Sequence, residues 1–250
     1  MIKKPIQPRG KNENPLTEEK LKTDFITLSS HQLRTPLSAI KWFVEIMLTE
    51  RMGKLNKKQE EYLKEIQRSN ERAIALVNDL LQVSRAQEGK LHLDFTETNL
   101  SQLVEETVDS HRSLMDNNHI SFNLEIINGP LPVVVVDRVK IRRVIQNLLV
   151  NAVKYTPREG SVQVVIKKEP KQIVCSFSDN GVGIPADEQD GIFQRFFRGS
   201  NVSKIQPDGT GLGLFIAKFL VEAHKGKIWF ESKEGAGTTF YFSLPYSKKK

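Results

Sequence analysis

Two apolar stripes with heptad spacing constrain the fold of this chain more than any other feature of its sequence. The first alternates steps of four and three residues, through Ile26, Ser30, Leu33, Leu37, Ile40, Val44 and Met47. The second steps in the same way, through Leu63, Ile66, Asn70, Ala73, Val77, Leu80 and Ser84. This spacing places side chains on one face of an α-helix and is typical of a coiled-coil seam. Because Gly53 and Asn56 interrupt the pattern, the sequence predicts an antiparallel hairpin of two long helices.

The first helix carries a second apolar line on another face. It consists of Phe25, Leu28, Ala39 and Phe43. A two-helix hairpin cannot bury two faces of one helix, so we expect a homodimer that closes a four-helix bundle. Asn70 interrupts the apolar seam of the second helix and is a candidate for fixing the register of the helices. Plain exposure of Asn70 to water is the alternative.

A polar stretch with one histidine lies within the first helix. His31 is off the apolar stripe and shares a polar line with Asp24 and Ser38, so we expect it to face water. Pro36 removes the hydrogen bond to the carbonyl of Gln32 and bends the helix at that point. Considered alone, such a histidine is most simply a solvated surface side chain.

The pattern changes to mixed α/β after Gly89, the expected cap of the second helix. We expect residues 1–15 to be a tail or linker, residues 16–92 a helical domain and residues 93–247 an α/β sandwich. In the sandwich, helices are predicted at residues 100–117, 137–155, 187–197 and 212–224, and a mobile loop at 199–209. Strands are predicted at residues 120–127, 161–168, 172–178, 227–232 and 238–244. Because consecutive strands are joined by short turns, we expect a mostly antiparallel sheet with helices on one face.

Composition excludes several classes of protein. The chain has 250 residues, 38% of them hydrophobic and 27% charged, which is typical of globular domains. Cys175 is the only cysteine, so an intrachain disulfide is excluded. With no apolar run long enough to span a membrane and no secretory signal, we expect a cytoplasmic protein, any membrane anchor lying outside this sequence. Although the net charge is +7, the basic residues are scattered among acidic ones, so we expect no nucleic-acid partner.

The helix predicted to begin at Asp137 bears two amides and an ammonium group on one line. Asn147, Asn151 and Lys154 are spaced at i, i+4 and i+7, and apolar residues occupy the opposite side. Amide oxygens can ligate Mg²⁺, and lysine suits phosphate. An ordinary polar helix face is the alternative.

Two segments of the sandwich are rich in glycine, and the first of them directly follows a strand. Residues 179–185 begin with an aspartate that could accept from an adenine amine, although Asn-Gly sequences also form simple turns. Residues 208–214 open a helix, and free backbone N–H groups at such a place bind anions. The glycine spacing differs from that of the dinucleotide fingerprint and of the P-loop, so P-loop ATPases are excluded.

The order of these motifs resembles the catalytic core of sensor histidine kinases. His-x-Leu-Arg-Thr-Pro-Leu at 31–37 is similar to their phosphoacceptor box, and residues 147–155 to the N box. Residues 179–183 resemble the first glycine box, 193–198 the F box and 209–214 the second glycine box. The resemblance implies a dimerisation and phosphoacceptor domain followed by the ATP-binding fold that this family shares with gyrase B and the heat-shock ATPases.

The resemblance implies a role for each matching residue. His31 would accept the γ-phosphoryl group, and the catalytic set implied with it is Gln32, Arg34, Thr35 and Arg198. ATP binding is implied for Asn147, Asn151, Lys154, Tyr155, Asp179, Gly181, Gly183, Ile184, Arg195, Gly209, Thr210, Gly211, Leu212, Gly213, Leu214 and Thr238. Within that set, Asn151 would ligate Mg²⁺ with the assistance of Asn147, and Asp179 would hold the adenine amine, with Thr238 acting through water.

The implied reaction is transfer of a phosphoryl group from ATP to His31 and then to an aspartate of a response regulator receiver domain. An upstream sensor domain or a separate sensor protein would control it. Related ATPases that hydrolyse ATP have a carboxylate at the position of Asn147, and an amide cannot activate water in that way. Gln32 departs from the family, which usually has a carboxylate beside the histidine. This departure keeps open a nucleotide-binding or phosphatase-biased dimeric scaffold with weak kinase activity.

Overall fold

The computed structural model describes residues 15–51, 53–87, 91–205 and 209–246. Within its helices, the side chains of residues 15–27, 31, 82–83, 85–87 and 203–205 are outside the description. The chain divides into two compact units, residues 1–91 and 92–250. Of the tail predicted for residues 1–15, only Pro15 is described, and the helix cap expected at Gly89 also lies outside the described residues.

The first unit is a helical hairpin. Helix α1 spans Pro15–Leu48 and continues through Pro36, and α2 spans Lys57–Gln87. Asn56 and Gln59 begin α2 with a reciprocal cap, in which the backbone N–H of each donates to the side-chain oxygen of the other at 2.9 Å. In the described parts of the chain, no helix is both long and apolar enough to cross a membrane.

The interior of the hairpin uses residues of both apolar stripes. The buried stripe residues are Ser30, Val44, Leu63, Asn70, Val77 and Ser84, and Leu81, which is outside both stripes, is buried with them. Nδ2 of Asn70 donates to the carbonyl of Leu37 across the helix pair at 2.9 Å, so the alternative of an Asn70 exposed to water is wrong. A second set of apolar side chains stays exposed on the single chain: Leu28, Leu33, Ile40, Trp42, Phe43, Met47, Tyr62 and Ile66. One copy of the hairpin therefore leaves a broad apolar surface uncovered.

The second unit contains a five-stranded sheet in the order β2-β4-β5-β7-β6. These strands are β2 (Ser121–Ile127), β4 (Ser161–Lys168), β5 (Gln172–Asp179), β6 (Lys227–Lys233) and β7 (Gly237–Pro245). The pair β2–β4 is parallel and the other three pairs are antiparallel. A small sheet of β1 (Thr96–Thr98) and β3 (Val134–Val136) was not predicted, because three residues are too few to display a period.

The described part of the second unit also contains helices. They are α3 (Leu100–Asp109), α4 (Arg112–Asn117), α5 (Arg138–Tyr155), α6 (Ser200–Ile205) and α7 (Gly213–Ala223). Helices α5 and α7 contact each other and the sheet, and α3 packs against α5. The rings of Phe177 and Phe242, both fully buried, stack at 6.2 Å in the core. The predicted helical region followed by an α/β domain with a mostly antiparallel sheet is confirmed.

Two predicted helices and one predicted loop differ in the structure. The helix predicted at residues 100–117 is broken, because the side chains of Ser110 and His111 bond the carbonyl of Thr107 at 2.7 and 2.8 Å and end α3 there. The helix predicted at 187–197 is only a short 3-10 helix, Ala186–Gly191, and Phe196, within the predicted span, has φ +61, outside the right-handed helical region.

The loop predicted at residues 199–209 instead contains α6. The carboxylate of Glu188 accepts from the backbone N–H of Ser200 at 3.1 and 3.0 Å, which caps the start of this helix. A cap supplied from twelve residues away in the chain has no local sequence signal.

Candidate functional site

Helix α5 presents its polar line beside the start of α7. Asp137 caps α5, because its Oδ1 accepts from the backbone N–H of Lys140 at 3.0 Å. Further along, Asn147 and Asn151 are half-buried and Lys154 is exposed, while the opposite side of the helix lies in the core. Nδ2 of Asn147 donates to the carbonyl of Gly213 at 3.0 Å. Since a carbonyl can only accept, this bond fixes the amide orientation and leaves Oδ1 of Asn147 as a potential metal ligand.

Asp179 ends β5 and receives two backbone hydrogen bonds on one carboxylate oxygen. Its Oδ1 accepts from the N–H of Gly181 at 2.9 Å and from the N–H of Thr238 at 3.2 Å. Oδ2 can therefore accept from a ligand. Burial raises the pKa of Asp179 to about 6, against the effect of the two backbone hydrogen bonds. The geometry thus brings together Asp179, Gly181 and Thr238.

Ser232 joins this group and was missed by sequence reasoning. Its hydroxyl lies 2.8 Å from that of Thr238 and accepts from the N–H of Ile184 at 2.9 Å. It thereby connects Thr238 with the first glycine-rich segment, where Ile184 is half-buried. The β6–β7 register, in which Ser232 faces Thr238, is the signal that could have identified it.

The second glycine-rich segment lies against the F-box segment. The N–H of Phe196 donates to the carbonyl of Gly211 at 3.0 Å, and Gly211 has φ +68. The N–H of Leu212, which is buried, donates to Oγ1 of Thr210 at 3.2 Å. Leu214 is half-buried one residue into α7.

Two arginines of the F-box segment have different surroundings. The guanidinium of Arg195 lies 5.0 Å from the ring centre of Phe215, on α7. The guanidinium of Arg198 is beside Gly209, where an added Cβ would lie 3.0 Å from its Nε. Burial raises the pKa of the Tyr155 phenol, and the charge of Arg198 acts in the opposite direction. Arg198 therefore lies beside Gly209 and near Tyr155, whereas Arg195 contacts Phe215 of α7.

The residues around His31 belong to the first unit. His31 lies within α1, but its side chain is outside the described residues. Gln32 and Thr35 are exposed, and Thr35 is one helical turn after His31. Nη2 of Arg34 donates to Oδ1 of Asn78 at 3.0 Å, so Arg34 ties α1 to α2.

The donor set of the nucleotide site suits Mg²⁺ held together with phosphate. Among the described residues, no group of three or more His, Cys, Asp or Glu side chains could hold a metal ion. Amide oxygens such as those of Asn147 and Asn151 make a weaker set that needs further oxygen ligands. Mg²⁺ usually keeps waters and takes its remaining ligands from substrate phosphates, so the residues fit a nucleotide-bound ion.

Two family matches divide the chain in the same place as its fold. Residues 21–89 match the family described as His Kinase A (phospho-acceptor) domain. Residues 136–248 match the family described as histidine kinase-, DNA gyrase B- and HSP90-like ATPase.

Known relatives match across both units. The circadian input-output histidine kinase CikA of Synechococcus elongatus is 36% identical over 225 residues, which are 90% of this chain and 30% of that protein. The crystal structure of full-length ShkA in complex with AMPPNP matches with a TM-score of 0.76 and 26% identity, covering 91% of this chain and 46% of that one. Histidine kinase ThkA in complex with response regulator protein TrrA matches with a TM-score of 0.62 and 26% identity, covering 92% and 64%. The chain spans less than two thirds of the length of the curated relatives it matches.

Proposed function

Because the chain belongs to the sensor histidine kinases, whose catalytic core it contains, we propose that it is an ATP-dependent protein-histidine kinase. In the proposed reaction a ring nitrogen of His31 attacks the γ-phosphorus of ATP. The bond from that phosphorus to the bridging oxygen breaks and ADP leaves. A carboxylate oxygen of a response regulator aspartate then attacks the same phosphorus, and the bond to the His31 nitrogen breaks.

The observation that carries this proposal is the state of Asn147. Its amide nitrogen is engaged by the carbonyl of Gly213, and its Oδ1 can ligate a metal but cannot take a proton from water at neutral pH. A site with an amide at this position binds ATP without a base for hydrolysis. The phosphoryl group is therefore preserved for transfer to His31.

The described residues supply the remaining parts of the nucleotide site. Oδ2 of Asp179 would accept from the adenine amine, with Thr238 and Ser232 beside it. Asn151 and Asn147 would hold Mg²⁺, which neutralises charge on the phosphates when it is bound. The phosphate groups would meet Lys154, Tyr155, Arg198 and the backbone of residues 209–214, with Arg195, Ile184 and Gly183 at the margins of the site.

We further propose a homodimer, in which two copies of the chain cover each other's exposed apolar surface on α1 and α2. Residues such as Phe43, 59% exposed, and Leu28, 63% exposed, would be buried there. The partner would be a response regulator receiver domain, since the matched ThkA structure is a complex with a response regulator. The reaction would take place in the cytoplasm, where ATP is supplied, under the control of a sensor domain or a separate sensor protein.

Labelled ATP tests the proposal. Incubation with γ-labelled ATP and Mg²⁺ should give a phosphoprotein that is labile in acid and stable in alkali. His31→Ala should abolish labelling while nucleotide affinity stays unchanged, and His111→Ala is the matched control that should label normally. Labelling retained in His31→Ala would refute the assignment, and a chain that binds ATP without labelling would support the scaffold alternative that Gln32 leaves open.

A further inference from the structure

His224 connects the two helices that carry the phosphate end of the proposed nucleotide site. It directly follows α7 and is only 5% exposed. Its Nδ1 lies 2.7 Å from the carbonyl of Leu220, and its Nε2 lies 3.0 Å from the backbone nitrogen of Asp137. A carbonyl only accepts and a backbone N–H only donates, so both bonds require a neutral ring with its hydrogen on Nδ1. Burial lowers the pKa of His224 and favours this neutral form.

The opposite end of the same helix pair is joined by Asn147. Its Nδ2 donates to the carbonyl of Gly213, the first residue of α7. Asp137 and Asn147 on α5 are separated by about 15 Å of helix, and Gly213 and His224 on α7 by about 16 Å. The two helices are therefore antiparallel. The bond between His224 and Asp137 joins them at one end of the segment where they run side by side, and the bond between Asn147 and Gly213 joins them at the other end.

The apolar packing between these two hydrogen bonds fixes the position of α7 along its axis less well than the hydrogen bonds do. Val144 and Leu148 of α5 and Leu220 and Val221 of α7 are buried, but their hydrophobic contacts have no direction. Because hydrogen bonds weaken steeply with distance and angle, the two polar bonds determine how α7 is aligned along α5, and the apolar side chains pack within that alignment.

We propose that His224 is a positioning residue for the phosphate groups of the nucleotide. By bonding Asp137 it holds α7 along α5, and thereby holds the glycine-rich backbone before α7 opposite Asn147 and Asn151. The adenine end does not depend on this hydrogen bond, because Asp179 and Thr238 are placed by β5 and β7. The inference rests on the nucleotide site of the proposed function.

Two substitutions separate the bonds of His224. In His224→Asn the short amide can still reach the carbonyl of Leu220 but cannot reach the N–H of Asp137. In His224→Gln the longer amide can present its oxygen to that N–H. His111 is the matched control, because its Nδ1 also bonds a carbonyl four residues earlier, that of Thr107 at 2.8 Å, at the end of α3.

The measurement compares two ligands on the full chain. The ligands are a non-hydrolysable ATP analogue with Mg²⁺, and adenosine, which lacks phosphate. His224→Asn should weaken the ATP analogue by roughly fivefold to tenfold, the equivalent of one hydrogen bond, and leave adenosine within about twofold. His224→Gln should recover most of the loss, and His111→Asn should change neither affinity.

Several results would overturn the inference. Equal weakening of both ligands by His224→Asn, or no rescue by His224→Gln, would leave His224 with a merely structural role. If neither ligand binds the unaltered chain, the nucleotide site itself is wrong and the proposed function fails first.

Hydrogen exchange on the unaltered chain gives a second test that does not require the variants to fold. If the hydrogen bond between the Asp137 N–H and His224 favours binding of the phosphates, binding of the phosphates must favour that hydrogen bond in turn. The ATP analogue should therefore slow hydrogen exchange of the Asp137 amide. Adenosine should not slow it. An Asp137 amide that responds equally to both ligands would contradict the inference.

Discussion

Replacing Asp179 with asparagine should make the unliganded protein more stable and its adenine site weaker. The carboxylate is partly buried and accepts two backbone hydrogen bonds on Oδ1, yet burial still raises its pKa to about 6. A raised carboxyl pKa means that the folded protein favours the protonated form, so ionisation at neutral pH costs stability. An asparagine keeps the Oδ1 acceptor for Gly181 and Thr238 without the buried charge.

The magnitude follows from the pKa. The difference between the ordinary aspartate pKa of 3.8 and a pKa of about 6 sets an upper limit of about 3 kcal/mol. Because part of the side chain reaches solvent, which screens the charge, we expect about 1–2 kcal/mol and a rise in Tm of about 2–8 °C. The gain should be largest above pH 6 and should shrink as the pH falls toward 4, because Asp179 then takes up the proton in the folded state.

Binding should change in the opposite direction. Asparagine would turn an amide N–H toward the adenine amine, so adenosine should bind about 1.5–3 kcal/mol more weakly. Inosine, whose 6-oxo group accepts a hydrogen bond, should lose much less.

The assay can be confined to the second unit. Only Trp42 and Trp229 occur in the chain, on α1 and β6, so a Trp42→Phe background lets Trp229 fluorescence report unfolding of this unit. Calorimetry with adenosine and inosine measures the affinities. A variant that is less stable at pH 7, or that binds adenosine as tightly as the parent, would refute the reasoning.

Three further predictions concern separate parts of the chain. Adenosine affinity should fall as the pH drops through about 6, because a protonated Asp179 no longer accepts from the adenine amine, and calorimetry should find no such dependence in Asp179→Asn. Asn70→Leu should raise the free energy of unfolding of the hairpin by about 1 kcal/mol, since Oδ1 of Asn70 is buried and accepts no hydrogen bond from the described residues. Sedimentation should detect additional oligomeric states if Asn70 fixes the register. Gln32→Glu should speed autophosphorylation by roughly tenfold or more, because a carboxylate can take the imidazole proton; an unchanged rate of label incorporation would mean that Gln32 only orients the ring.

The elements that could be predicted from sequence are those whose periodicity is long. The seams of α1 and α2 and the alternation in β4 and β5 extend over enough residues to separate a helical from a strand period. The misplaced elements depend on contacts from elsewhere in the chain. Helix α6 is capped by Glu188, and α3 ends where two polar side chains compete for its last carbonyls. Such tertiary and side-chain effects override local propensity.

The polar residues of the site were predictable as types, but their orientations were not. The i, i+4 spacing identified Asn147 and Asn151 as neighbours on one face of α5. It could not indicate that Asn147 donates to Gly213, because that bond depends on how α7 packs on α5. Ser232 and His224 were missed for the same reason, since each acts through a partner that is distant in sequence.

The glycines show most clearly why motif reasoning needs the fold. Read from sequence, Gly181 and Gly183 leave room for a nucleotide, yet an added Cβ would lie 2.2 Å from the carbonyl oxygen of Tyr155 at Gly181 and 2.1 Å from that of Lys233 at Gly183. Both positions therefore exclude larger side chains because the protein's own backbone passes there. Gly213 differs, since the atoms nearest to an added Cβ belong to the Asn147 amide and begin at 3.7 Å, an ordinary van der Waals contact. A substitution at Gly181 or Gly183 consequently disturbs the fold around Asp179, whereas a replacement at Gly213 would test the proposed phosphate end without such a backbone clash.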